Sequence, residues 1–210
     1  MSKIGSTPWT MTINTERLIL RPQHKSDYKS WYAGFVGRLP KQHPYDTGKL
    51  NMNSCDSAWF SELCTHHQEL AKKDWVYIFG IFERDTNRHL GNIDLATIRR
   101  KDNQWANLGY SIHNQYQRRG YGKEATQAAI ICGFQDLNYH RIEAAINLDN
   151  SASIAFAESI GLKKKCIRRG FIYENEQWVD HSIYAAIPTD FGLDEKPPEE
   201  ILFSKFSSKN

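Results

Sequence analysis

Two glycines one residue apart sit among three cations in Gln117-Arg118-Arg119-Gly120-Tyr121-Gly122-Lys123, and this is the part of the chain best suited to holding an anion. Glycine lets a phosphate oxygen approach the main chain, and a helix beginning here offers unpaired N–H groups and the positive end of its dipole. Arg118, Arg119 and Lys123 add charge. The string is not a P-loop, because no G-K-[ST] follows, and not a dinucleotide fingerprint, because the third glycine that G-x-G-x-x-G requires is replaced by Ala125. In isolation it reads equally well as a tight loop with a solvated basic face.

Other polar groups are scattered. Asn150 and Ser153, in Asn150-Ser151-Ala152-Ser153, read first as a helix cap and a first-turn residue. Asp94, within Gly91-Asn92-Ile93-Asp94-Leu95, reads alone as a solvent-facing strand carboxylate. His43 and His113 have no motif behind them; His113 ends a strand just before the glycine loop and could contact a phosphate there, although an exposed loop histidine is the commoner outcome. His66 and His67 are adjacent on a helix and point two ways, so no metal site is expected. Cys55, Cys64, Cys132 and Cys166 form no C-x-x-C pair and read as free thiols of a reducing cytoplasm.

The elements that must carry these residues follow from periodicity. Residues 12–21 read as a strand with Ile13, Leu18 and Leu20, closed by Pro22. Residues 24–35 put Tyr28, Trp31, Tyr32 and Phe35 on one helical face, which is expected to be mostly packing. The proline-broken stretch 38–45, with Arg38, His43 and Tyr45, reads as a loop of the kind that lines substrate sites. A helix over 56–72 precedes an antiparallel meander over 76–83, 90–99 and 105–113, joined by short polar connectors. A helix over 120–137 and a strand over 141–146 then make a β-α-β crossover. A short helix over 150–160, stopped by Gly161, leads to strands over 164–173 and 177–187 that turn at Glu174-Asn175-Glu176. The class is α/β (α+β), with about seven strands in a mixed, mostly antiparallel sheet flanked by helices.

Composition sets outer bounds. A chain of 210 residues with 40% hydrophobic and 24% charged residues suits one sizeable core, so residues 1–190 read as a single domain and 191–210 as a peripheral tail. The formal charge of +3 does not demand a nucleic-acid partner, and Arg99-Arg100-Lys101, Lys163-Lys164-Lys165 and Arg168-Arg169 read as solvated surface. No leader-like apolar run opens the chain and no stretch approaches a membrane span, so a soluble, cytoplasmic protein is expected.

Gln117-Arg118-Arg119-Gly120-Tyr121-Gly122 resembles the [RQ]-x-x-G-x-[GA] acetyl-CoA motif of the GNAT acetyltransferases, on the strand-loop-helix where that family carries it. Thr15-Glu16-Arg17-Leu18-Ile19-Leu20-Arg21-Pro22 and Leu108-Gly109-Tyr110 are similar to segments of the branch typified by ribosomal-protein N-terminal acetyltransferases. So are Asn150-Ser151-Ala152-Ser153 and Phe156-Ala157-Glu158-Ser159-Ile160-Gly161-Leu162, matching N-x-x-S and a helix ending in G-[FL]. The resemblance spans about residues 12–187 in unbroken order.

It implies a GNAT domain with its sheet splayed between the fourth and fifth strands, and acetyl-CoA as the acyl donor. The donor would be held by Tyr110, Ile112, Gln117, Arg118, Arg119, Gly120, Tyr121, Gly122, Lys123, Asn150 and Ser153. Asn150 would contact the pantetheine arm, and Ser153 would give a proton to the leaving sulfur. The family position commonly held by Glu, before Leu108-Gly109-Tyr110, is Asn107, which cannot be a general base but can orient an amine or water. Asp94 on the neighbouring strand is the nearest alternative carboxylate by strand pairing. Arg38, His43 and Tyr45 fall in the region that shapes the acceptor site. The expected reaction is acetyl transfer to a primary amine, foremost a protein N-terminal amine. A small-molecule amine and a non-catalytic acyl-CoA sensor are the alternatives. A homodimer is a further expectation of the branch, and neither membrane nor direct nucleic-acid binding is expected.

Overall fold

The computed structural model describes residues 8–198, which divide into two compact units. The first comprises residues up to 96 together with 109–129, and the second comprises 97–108 with the residues from 130 on. Among the described residues no helix is long and apolar enough to cross a membrane.

In the first unit, β1 (Ile13–Asn14), β2 (Leu18–Arg21), β3 (Val76–Glu83) and β4 (His89–Arg99, up to Ala96 in this unit) pair antiparallel in chain order. The single strand expected over 12–21 is instead two, because Thr15 folds back so that its N–H donates to the Leu18 carbonyl (3.0 Å). That turn raises the strand count among the described residues from about seven to eight. Leu20 pairs with Ile81 and Phe79 with Ile93, and all four are fully buried, as period-two alternation requires of one sheet face. Helices α1 (Tyr28–Val36) and α2 (Ser57–Lys72) meet through Trp31 and Phe60, whose ring centroids are 4.7 Å apart, with Tyr28, Tyr32 and Phe35 around them. The aromatic face of α1 is therefore packing.

In the second unit, the start of β5 (Trp105–Ile112) runs parallel to β6 (Arg141–Asn147), with Trp105 opposite Arg141 and Asn107 opposite Glu143. This is the expected crossover, made through α3 (Tyr121–Gln135), whose residues from Ile130 on belong here. Helix α4 (Ser151–Ser159) follows, and then β7 (Lys163–Glu174) and β8 (Gln177–Ala186) form an antiparallel hairpin, with β8 also pairing β6. Asn175 and Glu176 both have left-handed backbone, the pattern of a two-residue hairpin turn. Phe191 packs on Phe134 at 5.9 Å, so the start of the expected tail docks, and residues 199–210 lie outside the described residues.

Candidate active site

The glycine loop lies in the first unit. A 3-10 turn, Asn114–Tyr116, follows β5, and Gln117 is extended. Arg118 (φ 60°) and Gly120 (φ 84°) then turn the chain through left-handed backbone into α3. The Glu124 amide donates to the Gly120 carbonyl (3.1 Å), so the amides before it precede the helical ladder and have no carbonyl one turn earlier. Gln117, Arg118, Arg119, Gly120 and Lys123 are exposed, with Tyr121 and Gly122 half-buried. An open turn bearing N–H groups and three cations fits a phosphate anion. Tyr110 and Ile112 are half-buried on the preceding strand, and Gln117 Nε2 donates to the Ile112 carbonyl (3.2 Å).

Asp94 is on β4, on the face opposite the buried Ile93 and Leu95. Its carboxylate lies over the main chain of Gly109, where a Cβ would come within 2.3 Å of Oδ1. The glycine of Leu108-Gly109-Tyr110 therefore makes room for an acid. Among the described residues no hydrogen bond or ion pair reaches the Asp94 carboxylate, and burial raises its pKa above the usual carboxylate range. A carboxylate that is desolvated and uncompensated is more basic than an ordinary one.

His113 is not an exposed loop residue. It is 1% exposed, and its ring meets His89, which is wholly buried. The two lie in a directed chain of bonds. Arg38 can only donate, so Nδ1 of His113 accepts from its Nη1 (3.4 Å) and the ring proton is on Nε2. That proton goes to Nδ1 of His89 (3.1 Å), whose Nε2 lies 3.3 Å from Asn92 Oδ1 and 3.1 Å from Gln23 Nε2, itself a donor to Asn92 Oδ1 (2.8 Å). Both imidazoles are neutral: burial pushes His89 down to about 4, and burial, competition with the adjoining His89 imidazole for a proton and the Arg38 guanidinium push His113 to about 3. The space for this pair comes from Gly34 of α1, where a Cβ would sit 2.7 Å from His113 Nε2.

Arg38, expected at the rim of an acceptor pocket, is buried instead. Its guanidinium holds its own loop, donating to the Gly48 carbonyl (2.6 Å), Asp46 Oδ1 (3.0 Å) and Thr47 Oγ1 (2.6 Å). Burial by itself would raise the pKa of Asp46, but the Gly48 amide, Asn114, the Gln42 amide and Arg38 bring it down to about 2. Asn114 also bonds both the N–H and the carbonyl of Leu39 (2.8 and 2.9 Å). The loop is thus pinned to the residue that opens the glycine turn. His43 is half-buried, and Tyr45, at 38% exposure, faces solvent on the same loop.

The remaining candidates belong to the second unit. Asn107 is half-buried beside Glu143, and Glu143 is ion-paired to Arg141 (2.6 Å) and Arg168 (2.9 Å). A carboxylate therefore stands next to the position where Glu was expected, but two guanidiniums occupy it. Asn150 is the cap of α4: its Oδ1 accepts from the Ser153 amide (3.1 Å), leaving its Nδ2 as the donor end. Ser153 is half-buried in the first turn. His89, Asp46, Asn114 and Glu143 carried no signal in the sequence, because their roles come from burial and register rather than spacing. Among the described residues no cluster of His, Cys, Asp or Glu could hold a metal ion.

The GNAT acetyltransferase domain model matches residues 17–163. The "Probable N-acetyltransferase YjcK" of Bacillus subtilis (strain 168) is 33% identical over 126 residues, 60% of this chain and 70% of that protein. The [ribosomal protein uS5]-alanine N-acetyltransferase of Escherichia coli (strain K12) is 25% identical over 179 residues, 85% of this chain and 92% of that protein. Mycobacterium smegmatis RimJ, solved in complex with CoA-disulfide, shares the fold with a TM-score of 0.72 at 16% identity, covering 94% of this chain and 96% of that one. With the family model matched over residues 17–163, and with eight strands, four α-helices and a glycine turn after β5 among the described residues, the chain belongs to the GNAT acetyltransferase family, whose members are acetyl-CoA-dependent N-acetyltransferases.

Proposed function

We propose that this acetyltransferase acts on the α-amino group of a protein N-terminus, with Asp94 as the general base. The observation that carries the reading is the Asp94 carboxylate, desolvated and unpaired among the described residues, over the main chain of Gly109. An α-amine, with a reference pKa near 8, gives up its proton to such a base far more readily than a lysine amine near 10.4. The uS5-alanine acetyltransferase of Escherichia coli, a relative over 85% of this chain, supports the same acceptor class.

Acetyl-CoA supplies the acetyl group as a thioester, so the protein needs no covalent nucleophile. The turn at 117–123 holds pyrophosphate through its amides and through Arg118, Arg119 and Lys123. Asp94 takes the proton from the acceptor ammonium and leaves a neutral amine. Asn107 orients that amine or a water, the Nδ2 of Asn150 donates to a ligand carbonyl, and the Ser153 hydroxyl holds the proton destined for sulfur. Tyr45 and His43 contact the acceptor from their loop, which Arg38 keeps in shape from inside.

Turnover of acetyl-CoA, followed as free thiol against peptides of varied N-terminus, polyamines and aminoglycosides, tests the acceptor. Selective turnover of N-terminal peptides is expected, and selective turnover of a small amine would replace this reading with a small-molecule acetyltransferase. Gly122→Val tests the donor site. Valine is no worse than glycine in a helix, so the fold should hold while CoA affinity falls at least ~10-fold as bulk meets the phosphates. Undiminished affinity by calorimetry would show that pyrophosphate binds elsewhere.

A further inference from the structure

We propose that Arg17 is a positioning residue for the donor: it neutralises Glu124 in the first turn of α3 and pins the Arg119 carbonyl, so that the glycine turn meets the pyrophosphate with its amides and cations alone. The proposal rests on the reading that residues 117–123 hold the pyrophosphate. Its evidence is a set of bonds across more than 100 residues of sequence. Arg17 Nε donates to Glu124 Oε2 (2.7 Å), the Arg17 amide to Glu124 Oε1 (2.8 Å), and Thr15 Oγ1 to the same oxygen (2.6 Å). Arg17 Nη1 donates to the Arg119 carbonyl (3.0 Å), and its guanidinium lies 4.8 Å from the centre of the Tyr121 ring.

Two difficulties of an anion site at a helix start are met by this one side chain. A carboxylate in the first turn suits the helix dipole but repels a bound phosphate, and Glu124 is such a group. Arg17 cancels its charge, and three donors satisfy its oxygens. The other difficulty is conformational. Arg118 is a non-glycine residue in left-handed backbone, a conformation L side chains disfavour, and persists there because its surroundings fix it. The bond to the next carbonyl supplies part of that constraint. Space is limited as well, since a Cβ on Gly120 would lie 3.0 Å from Arg17 Nη2, so this glycine serves both turn and brace. Arg17 is about half exposed, and its ion pair by itself adds little to stability. Its weight falls on the donor site.

The test compares two acyl donors, acetyl-CoA and S-acetylpantetheine, which lacks the pyrophosphate, in the full chain and in Arg17→Ala, Arg17→Lys, Glu124→Gln and the Arg17→Ala/Glu124→Gln double variant. Arg17→Ala should lower kcat/KM for acetyl-CoA by about 10- to 50-fold. It should leave S-acetylpantetheine unchanged. Glu124→Gln should lose less, and the double variant should recover part of the Arg17→Ala loss because no unpaired carboxylate remains. Arg17→Lys, which keeps the charge without the fork, should fall between and serves if the alanine variant does not fold. Equal losses on both donors, or a double variant no better than Arg17→Ala, would overturn the positioning role. A wild-type protein indifferent between the two donors would instead overturn the reading of the glycine turn, and this proposal with it.

Discussion

Asp94→Asn is expected to lower kcat by about 10²- to 10⁴-fold, the usual share of a general base, while CoA affinity is unchanged. The thermal midpoint should hold or rise slightly, and this separates a catalytic from a structural carboxylate. Burial raises the pKa of Asp94 in the folded protein, so its contribution to stability is present below the unfolded pKa and is lost as pH rises through the folded value. At neutral pH the fold therefore tolerates a charge it disfavours, and asparagine removes that charge. In the wild type the acid limb of kcat/KM should lie above the usual carboxylate range, and in the variant that limb should vanish. Gly109→Ala is the companion: it keeps the carboxylate but places a methyl group where Oδ1 now lies, and should cost turnover without loss of the titratable group. Full activity in Asp94→Asn would remove this residue from the chemistry and leave deprotonation to water.

Much of the scaffold was legible because periodicity and punctuation are local. The meander, the crossover helix and the final hairpin follow from alternation, short polar connectors and Gly161, and the structure keeps them within a few residues. The hairpin inside 12–21 was not legible, since the turn depends on a backbone bond at Thr15 that no composition signals. The glycine loop proposed for the donor was visible because its anion-binding chemistry is written in consecutive residues. Asp94 was reached only by strand pairing. The feature that recommends it as the proposed base, a carboxylate over Gly109 without a partner among the described residues, exists only where β4 and β5 lie side by side. Arg38 and His113 show the opposite failure: polar residues at a loop and a strand end look exposed in sequence, yet mutual hydrogen bonds allow both to be buried.

That buried pair sets the second large expectation, a steep loss of stability in mild acid. His89 and His113 are held neutral at about 4 and about 3, whereas in the unfolded chain both take up a proton near the ordinary value of 6.5. Above that value neither state is protonated and stability is complete. As pH falls through 6.5 toward 4 the unfolded chain binds two more protons than the folded one, and stability should drop by about 2.7 kcal/mol per pH unit. Over that window the loss is of the same order as the ~5–15 kcal/mol that holds a typical domain together. Asp46 also loses its contribution in acid, but between its unfolded value of 3.8 and its folded value of about 2, below the histidine window. His67, pushed to about 4 by burial, acts in the same window as the pair, so the diagnostic is a comparison. Urea unfolding of wild type and of His89→Gln/His113→Gln between pH 7.5 and 4.5 should show the variant less stable at neutral pH, where the directed chain from Arg38 to Asn92 is lost, yet much flatter toward acid. Parallel curves would mean that the two imidazoles keep their ordinary affinity for protons inside the fold, and that the bond chain from Arg38 does not hold them neutral.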